Sequence, residues 1–131
     1  MTFDPLELYR FANWLDHNKP TKPFPVVFRA IVSRAYYSTL LIARDKHGLT
    51  TKGRGGHRKV IDFYKSSPNL DEQVVGMQIE ALKVEREEAD YDCNKDIGER
   101  ESEKALERAR DILLLIGAID SDDQGFTIPM T

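Results

Sequence analysis

From Glu99 onward the apolar residues Ala105, Leu106, Ala109, Ile112, Leu113 and Ile116 recur every three or four positions. That is the repeat of one face of an α-helix, with about 3.6 residues per turn. A half-buried strand would need strict alternation instead, and no segment of the chain shows it. The helical repeat also runs through Leu8, Phe11, Ala12 and Leu15, and through Val27, Ala30, Ile31, Ser38, Leu41 and Ile42. No internal repeat is visible, so the chain is expected to be all-α.

Start and stop signals divide it into five helices. Asp4-Pro5-Leu6-Glu7 supplies an aspartate cap, a proline at the first helical position and a glutamate three residues after the cap. The first helix is expected to run from there to about Asn18. Lys19 to Pro23 holds two prolines and reads as a connector, after which Pro25 opens a second helix that Gly48 stops near His47. The glycine-rich loop Thr50 to Gly56 leads into a third, short helix from His57 to Lys65. A fourth is expected from Leu70 to Asp92, and a fifth from Glu99 to Ile116. The arrangement this predicts is an up-and-down four-helix bundle with an additional short helix over residues 1–120. Residues 121–131 read as an irregular tail, with a short extended piece at Phe126-Thr127-Ile128.

At 131 residues the chain is expected to form one domain. Its 40% hydrophobic and 31% charged residues are proportions of a water-soluble globular protein. The longest apolar run, Ile112 to Ile119, is far short of the roughly 20 residues of a membrane span, so no membrane partner is expected. A single cysteine, Cys93, rules out an internal disulfide, and with no leader-like stretch before Phe3 the expected compartment is the cytoplasm. Cys93 itself falls at an apolar helical position and reads as inert packing. With only His17, His47 and His57 beside it, too few soft ligands exist for a zinc site, and no cofactor is expected.

Two arginines interrupt this pattern. Arg34 has Ala30 and Ile31 one turn back and Tyr37, Ser38 and Leu41 ahead; Arg86 follows Ile79 and Leu82 and precedes Ala89 and Cys93. A guanidinium is almost never buried without a partner, so each stripe needs an anion, either an internal carboxylate or a ligand phosphate. Asp90 lies one turn beyond Arg86, and it is also the acid expected to reach Arg34 from the neighbouring helix. Tyr36 and Tyr37 follow Arg34; one is expected in the core with its hydroxyl reaching the surface. Tyr91 is expected to point off the Arg86 stripe, toward the face of Val84 and Glu88.

His57 opens the third helix, just after Gly55-Gly56 and beside Arg58 and Lys59. The positive end of the helix and those neighbours favour a neutral imidazole, suited to accept a proton near neutral pH. Exposed N–H groups of the glycine loop are suited to receive an anion. The net charge of −3 is unevenly spread. Lys52, Arg54, Arg58, Lys59 and Lys65 cluster in one segment, while acids dominate Asp71 to Glu103. Such a basic segment either tracks a nucleic-acid backbone or complements the acidic one within the bundle or across a dimer. No phosphate loop with lysine, paired helical histidines or nucleophile elbow is present.

Arg34-Ala35-Tyr36-Tyr37 in a second helix, a loop-borne His57, Arg86 leading into Ala89-Asp90-Tyr91-Asp92, and a final acidic-then-apolar helix together resemble the HEPN domain. The resemblance is to its small single-domain prokaryotic branch and covers roughly Asp4 to Ile116. It implies a helical homodimer with polar residues of both protomers lining a basic cleft. It also implies a place in a toxin–antitoxin or defence pair, with a minimal nucleotidyltransferase as partner and Tyr91 as a residue that partner modifies. Many members are metal-independent endoribonucleases whose signature is an arginine followed after four to six residues by a histidine. Arg86 matches the arginine, whereas the histidine position falls at Tyr91, Asp92 or Cys93. On this reading Arg86, His57 and Asp90 are the catalytic set, and Arg34, Tyr37, Tyr91 and Arg54 contact RNA or a nucleotide. The alternative is a non-catalytic dimeric module that binds the nucleotidyltransferase, with the arginines as structural ion pairs.

Overall fold

The computed structural model describes residues 2–123, and within them the chain is an all-helical bundle. Its five helices are α1 (Leu6–Asn18), α2 (Pro25–Lys46), α3 (Gly56–Lys65), α4 (Leu70–Tyr91) and α5 (Glu99–Leu115). Each lies within two residues of its expected bounds. The aspartate cap works as the sequence implied, Asp4 Oδ1 accepting from the Leu6 N–H at 2.9 Å, although the helix itself opens at Leu6. Asn69 caps α4 through the Glu72 N–H, and the Glu101 carboxylate closes the start of α5 by accepting from the Gly98 N–H at 3.0 Å.

α2 is the central element: it packs against α1, α4 and α5, while α3 lies chiefly on α4. Ile31, Val32, Ala35, Leu40 and Ala43 of α2 meet Ile79 and Leu82 of α4 and Ala105, Ala109, Ile112 and Leu113 of α5 in one buried core. Burying a leucine or isoleucine contributes about 1.5–3 kcal/mol, so this layer dominates the stability. Two hydroxyls inside it are paired with carbonyls, Ser38 donating to Pro5 and Tyr64 to Ala43.

α2 is also long and apolar enough by composition to cross a bilayer, a property that the unbroken-run criterion missed because Arg29 and Arg34 interrupt it. Half of that stretch is buried inside the bundle, and packing on three neighbours accounts for its apolarity.

The glycine-rich loop is shaped by close approach. A Cβ on Gly56 would lie 1.9 Å from the Thr51 carbonyl oxygen, and Gly55 has the left-handed φ of 73°. These two residues let the chain turn sharply and deliver His57 into the first turn of α3. The start of the expected tail is tied down: Arg10 grips the Asp123 carboxylate at 2.8 and 3.2 Å, and Arg110 donates to the Asp123 and Ser121 carbonyls. The extended piece expected at Phe126-Thr127-Ile128 lies outside the described residues.

Candidate functional site

Arg86 occupies the α4 stripe that also carries Ile79, Leu82 and Ala89, all buried, and it is itself only 6% exposed. Its guanidinium carbon lies 5.1, 5.3 and 5.8 Å from the ring centroids of Tyr36, Tyr37 and Tyr91. A delocalised, weakly hydrated cation suits such ring faces better than an ammonium would. One terminal nitrogen reaches Asp90 Oδ2 at a long 3.4 Å, and Nε is enclosed with no acceptor among the described residues. Burial works against the charge, but Tyr37, Tyr36 and Asp90 outweigh it and hold the guanidinium above its ordinary pKa. The cation is held mainly by rings, with its carboxylate incompletely engaged.

His57 joins the same cluster through the tyrosines. Its Nδ1 is 2.9 Å from the Tyr36 hydroxyl, and its ring centroid lies 5.8 Å from those of both Tyr36 and Tyr37. Burial lowers the imidazole pKa, and the charges of Arg86 and Lys83 lower it further, against a smaller opposing effect of Glu87. The direction of this shift is the one expected from sequence, but its physical cause differs. The depressing charges come from α4 across the interface, not from Arg58 and Lys59, and Arg58 is turned away to Glu80 at 2.5 Å. Tyr36 is fully buried, and burial pushes its phenol well above the ordinary range.

The structure thus brings together Arg86, His57, Asp90, Tyr37 and Tyr91 of the expected set. Arg34 does not join them. It is exposed, makes no hydrogen bond or ion pair among the described residues, and its expected partner Asp90 instead meets Arg86 and the Ser33 hydroxyl at 3.3 Å. The reason is that α2 is buried on most of its circumference, and Arg34 sits in the one narrow strip left to solvent, with Val26 and Asp45 exposed and Ala30, Tyr37 and Leu41 partly so. Arg54 is likewise exposed in the loop without a partner among the described residues.

Tyr91 stands on the exposed face of Val84, 73% exposed, and its ring still comes within 5.8 Å of the Arg86 guanidinium carbon. Two other expectations are corrected. Cys93 is not core packing, because α4 ends at Tyr91 and the thiol is exposed in the following turn. Tyr36, the buried member of the tyrosine pair, sends its hydroxyl to His57 and not to the surface. The basic segment is partly neutralised within the bundle, where Arg58 and Lys65 both reach Glu80.

Sequence reasoning also missed residues that build the site. Arg29 donates to the Glu88 and Ala89 carbonyls and to the Lys95 carbonyl, closing the last turn of α4 where Asp90 and Tyr91 stand. Ser33 steadies Asp90 from α2. Neither had a signal in the sequence, because both act across 57 or more residues of chain separation.

The chain matches no protein-family profile, no curated protein and no solved structure. What the site can do therefore rests on its chemistry. An arginine, a histidine of lowered pKa, an accessible carboxylate and an exposed aromatic ring side by side suit an anionic group carrying a flat base. Among the described residues no group of three or more His, Cys, Asp or Glu side chains gathers to hold a metal. An open depression of about 570 Å³ lined by Phe63, Pro68 and Glu72 shares no residue with the cluster and has mostly apolar walls.

Proposed function

We propose that this chain is an HEPN-type protein that binds RNA, or the phosphate of a nucleotide, at the Arg86–His57 cluster. The observation that carries the reading is Arg86 itself: a cation whose one carboxylate contact is 3.4 Å long and whose other terminal nitrogen has no acceptor among the described residues and is not enclosed. A purely structural arginine is expected to saturate its donors with short bidentate contacts, as Arg10 does on Asp123. Tyr91 adds a ring face for a base, and the basic loop with Lys52 and Arg54 adds positive potential at the start of α3's connection. The homodimer that the HEPN resemblance implies is supported by the outward stripe of α4, where Leu70, Val74, Met77, Val84 and Tyr91 are all exposed. A toxin–antitoxin or defence pair with a nucleotidyltransferase is the setting that resemblance implies.

RNA cleavage is the second reading, favoured by the accessible Asp90 carboxylate beside Arg86. A ribose 2′-hydroxyl would give its proton to Asp90 and attack the adjacent phosphorus. The bond to the 5′-oxygen would break, that oxygen taking a proton from solvent, to leave a 2′,3′-cyclic phosphate and a 5′-hydroxyl. Arg86 would stabilise the added charge on the phosphoryl oxygens. The test is a labelled total-RNA pool in EDTA with wild type, Arg86→Met and Asp90→Asn. Binding that Arg86→Met abolishes supports the first reading, and cleavage lost in both variants supports the second. RNA neither bound nor cut at micromolar protein removes both.

A further inference from the structure

Tyr36 and His57 determine between them which imidazole nitrogen carries hydrogen. Tyr36 is 0% exposed, so water cannot take its hydroxyl hydrogen and a protein acceptor must. Its hydrogen-bond partner among the described residues is His57 Nδ1, at 2.9 Å. The charged group on the other side, Arg86, has donors only. The hydroxyl therefore donates to Nδ1, and Nδ1 must be the bare nitrogen. Burial keeps the phenol protonated and so keeps that donor in place. The hydrogen of the neutral imidazole is left on Nε2. That nitrogen has no partner among the described residues and is not enclosed, since the ring is only partly buried.

We propose that Tyr36 is a positioning residue that locks His57 as the Nε2–H tautomer, so that His57 and Arg86 offer hydrogen-bond donors to one phosphoryl group. This rests on the reading of the Arg86 cluster as a phosphate site and specifies the role of each donor. In this tautomer Nε2 cannot accept a proton, so His57 is not the base of the site. Asp90 is the carboxylate left for that part, steadied by Ser33 and set against Arg86. Arg86 supplies charge together with donors, whereas neutral His57 supplies direction. The left-handed Gly55 and the unsubstituted Gly56 place the ring where both tyrosines meet it.

The test is long-range ¹H–¹⁵N correlation of the His57 ring in the full-length protein, above the pH at which the imidazole charges. The expected spectrum shows hydrogen on Nε2 in wild type and a mixed population in Tyr36→Phe; hydrogen on Nδ1 in wild type overturns the inference. Inorganic phosphate, and then a short single-stranded RNA, should shift the Nε2 signal saturably in wild type and not in Arg86→Met. No shift with either probe overturns the donor role. His57→Gln, which retains an N–H near the Nε2 position, should keep RNA affinity near wild type, while His57→Ala should lose about tenfold. Equal loss in both variants also overturns it. RNA binding that survives Arg86→Met would remove the underlying phosphate reading, whereas hydrogen on Nδ1 with Arg86-dependent binding would remove this inference alone.

Discussion

Replacing Arg86 by methionine separates a guanidinium kept for stability from one kept for a ligand. The contact to Asp90 is 3.4 Å long and the Asp90 side chain is 27% exposed, so it contributes under about 1 kcal/mol. The three tyrosine contacts add roughly 0.5–1 kcal/mol each. Against them stand an enclosed Nε hydrogen without an acceptor among the described residues, costing about 1–3 kcal/mol, and the partial desolvation of the cation. The two sides are of similar size. Methionine would fill the same channel with no charge to bury and a sulfur that packs well on rings. In urea unfolding Arg86→Met should therefore lie within about 1 kcal/mol of wild type, or above it. Arg86→Ala, which leaves a void among the tyrosines, should lose about 2 kcal/mol or more. A loss above about 3 kcal/mol in Arg86→Met would refute the reasoning, because that is the cost of breaking a buried ion pair that the fold depends on.

Other consequences are equally direct. Gly56→Ala drives a Cβ to 1.9 Å from a backbone oxygen that cannot swing aside. It should cost about 1–3 kcal/mol and displace the His57 ring signals, and an unchanged unfolding midpoint would contradict the close approach. Because burial and the charges of Arg86 and Lys83 hold the His57 pKa below its ordinary value, the unfolded chain binds a proton that the folded ring resists. That contribution is fully present above the unfolded pKa of about 6.5 and is lost as pH falls toward the folded value. His57→Gln should thus gain on wild type between pH 7.5 and pH 5.5, roughly the window about the imidazole pKa; a pH-independent difference would contradict it. Tyr91→Ala, at a ring 73% exposed, should cost no more than about 1 kcal/mol, the worth of its contact with Arg86, yet weaken single-stranded RNA binding roughly tenfold. Unaltered affinity would remove the stacking role.

The fold was legible because α1, α4 and α5 each bury one face, and residues such as Leu82 and Ile112 announce that face by spacing. The same logic found Arg86, which sits among Ile79, Leu82 and Ala89 on a single buried stripe. It failed for Arg34 because α2 is enclosed by three helices, so apolar residues occur around nearly its whole circumference and spacing no longer marks the solvent side. His57 was legible as a residue of interest, but its link to Tyr36 joins two helices 21 positions apart and is set by the Gly55-Gly56 turn. Asp90's hydroxyl partner Ser33 and the arginine that closes α4, Arg29, lie farther off still. Side chains that meet only in three dimensions leave no periodic trace. Cys93 was misplaced by carrying the helical repeat two residues past the end of α4.

The most direct test of the central claim is equilibrium binding of a fluorescent single-stranded RNA to wild type and Arg86→Met, at several salt concentrations. The account predicts binding by wild type that weakens with salt, and at least about tenfold lower affinity in a variant that remains as stable as wild type. Equal affinity of the two proteins would contradict it, and so would the absence of binding by wild type at micromolar concentration.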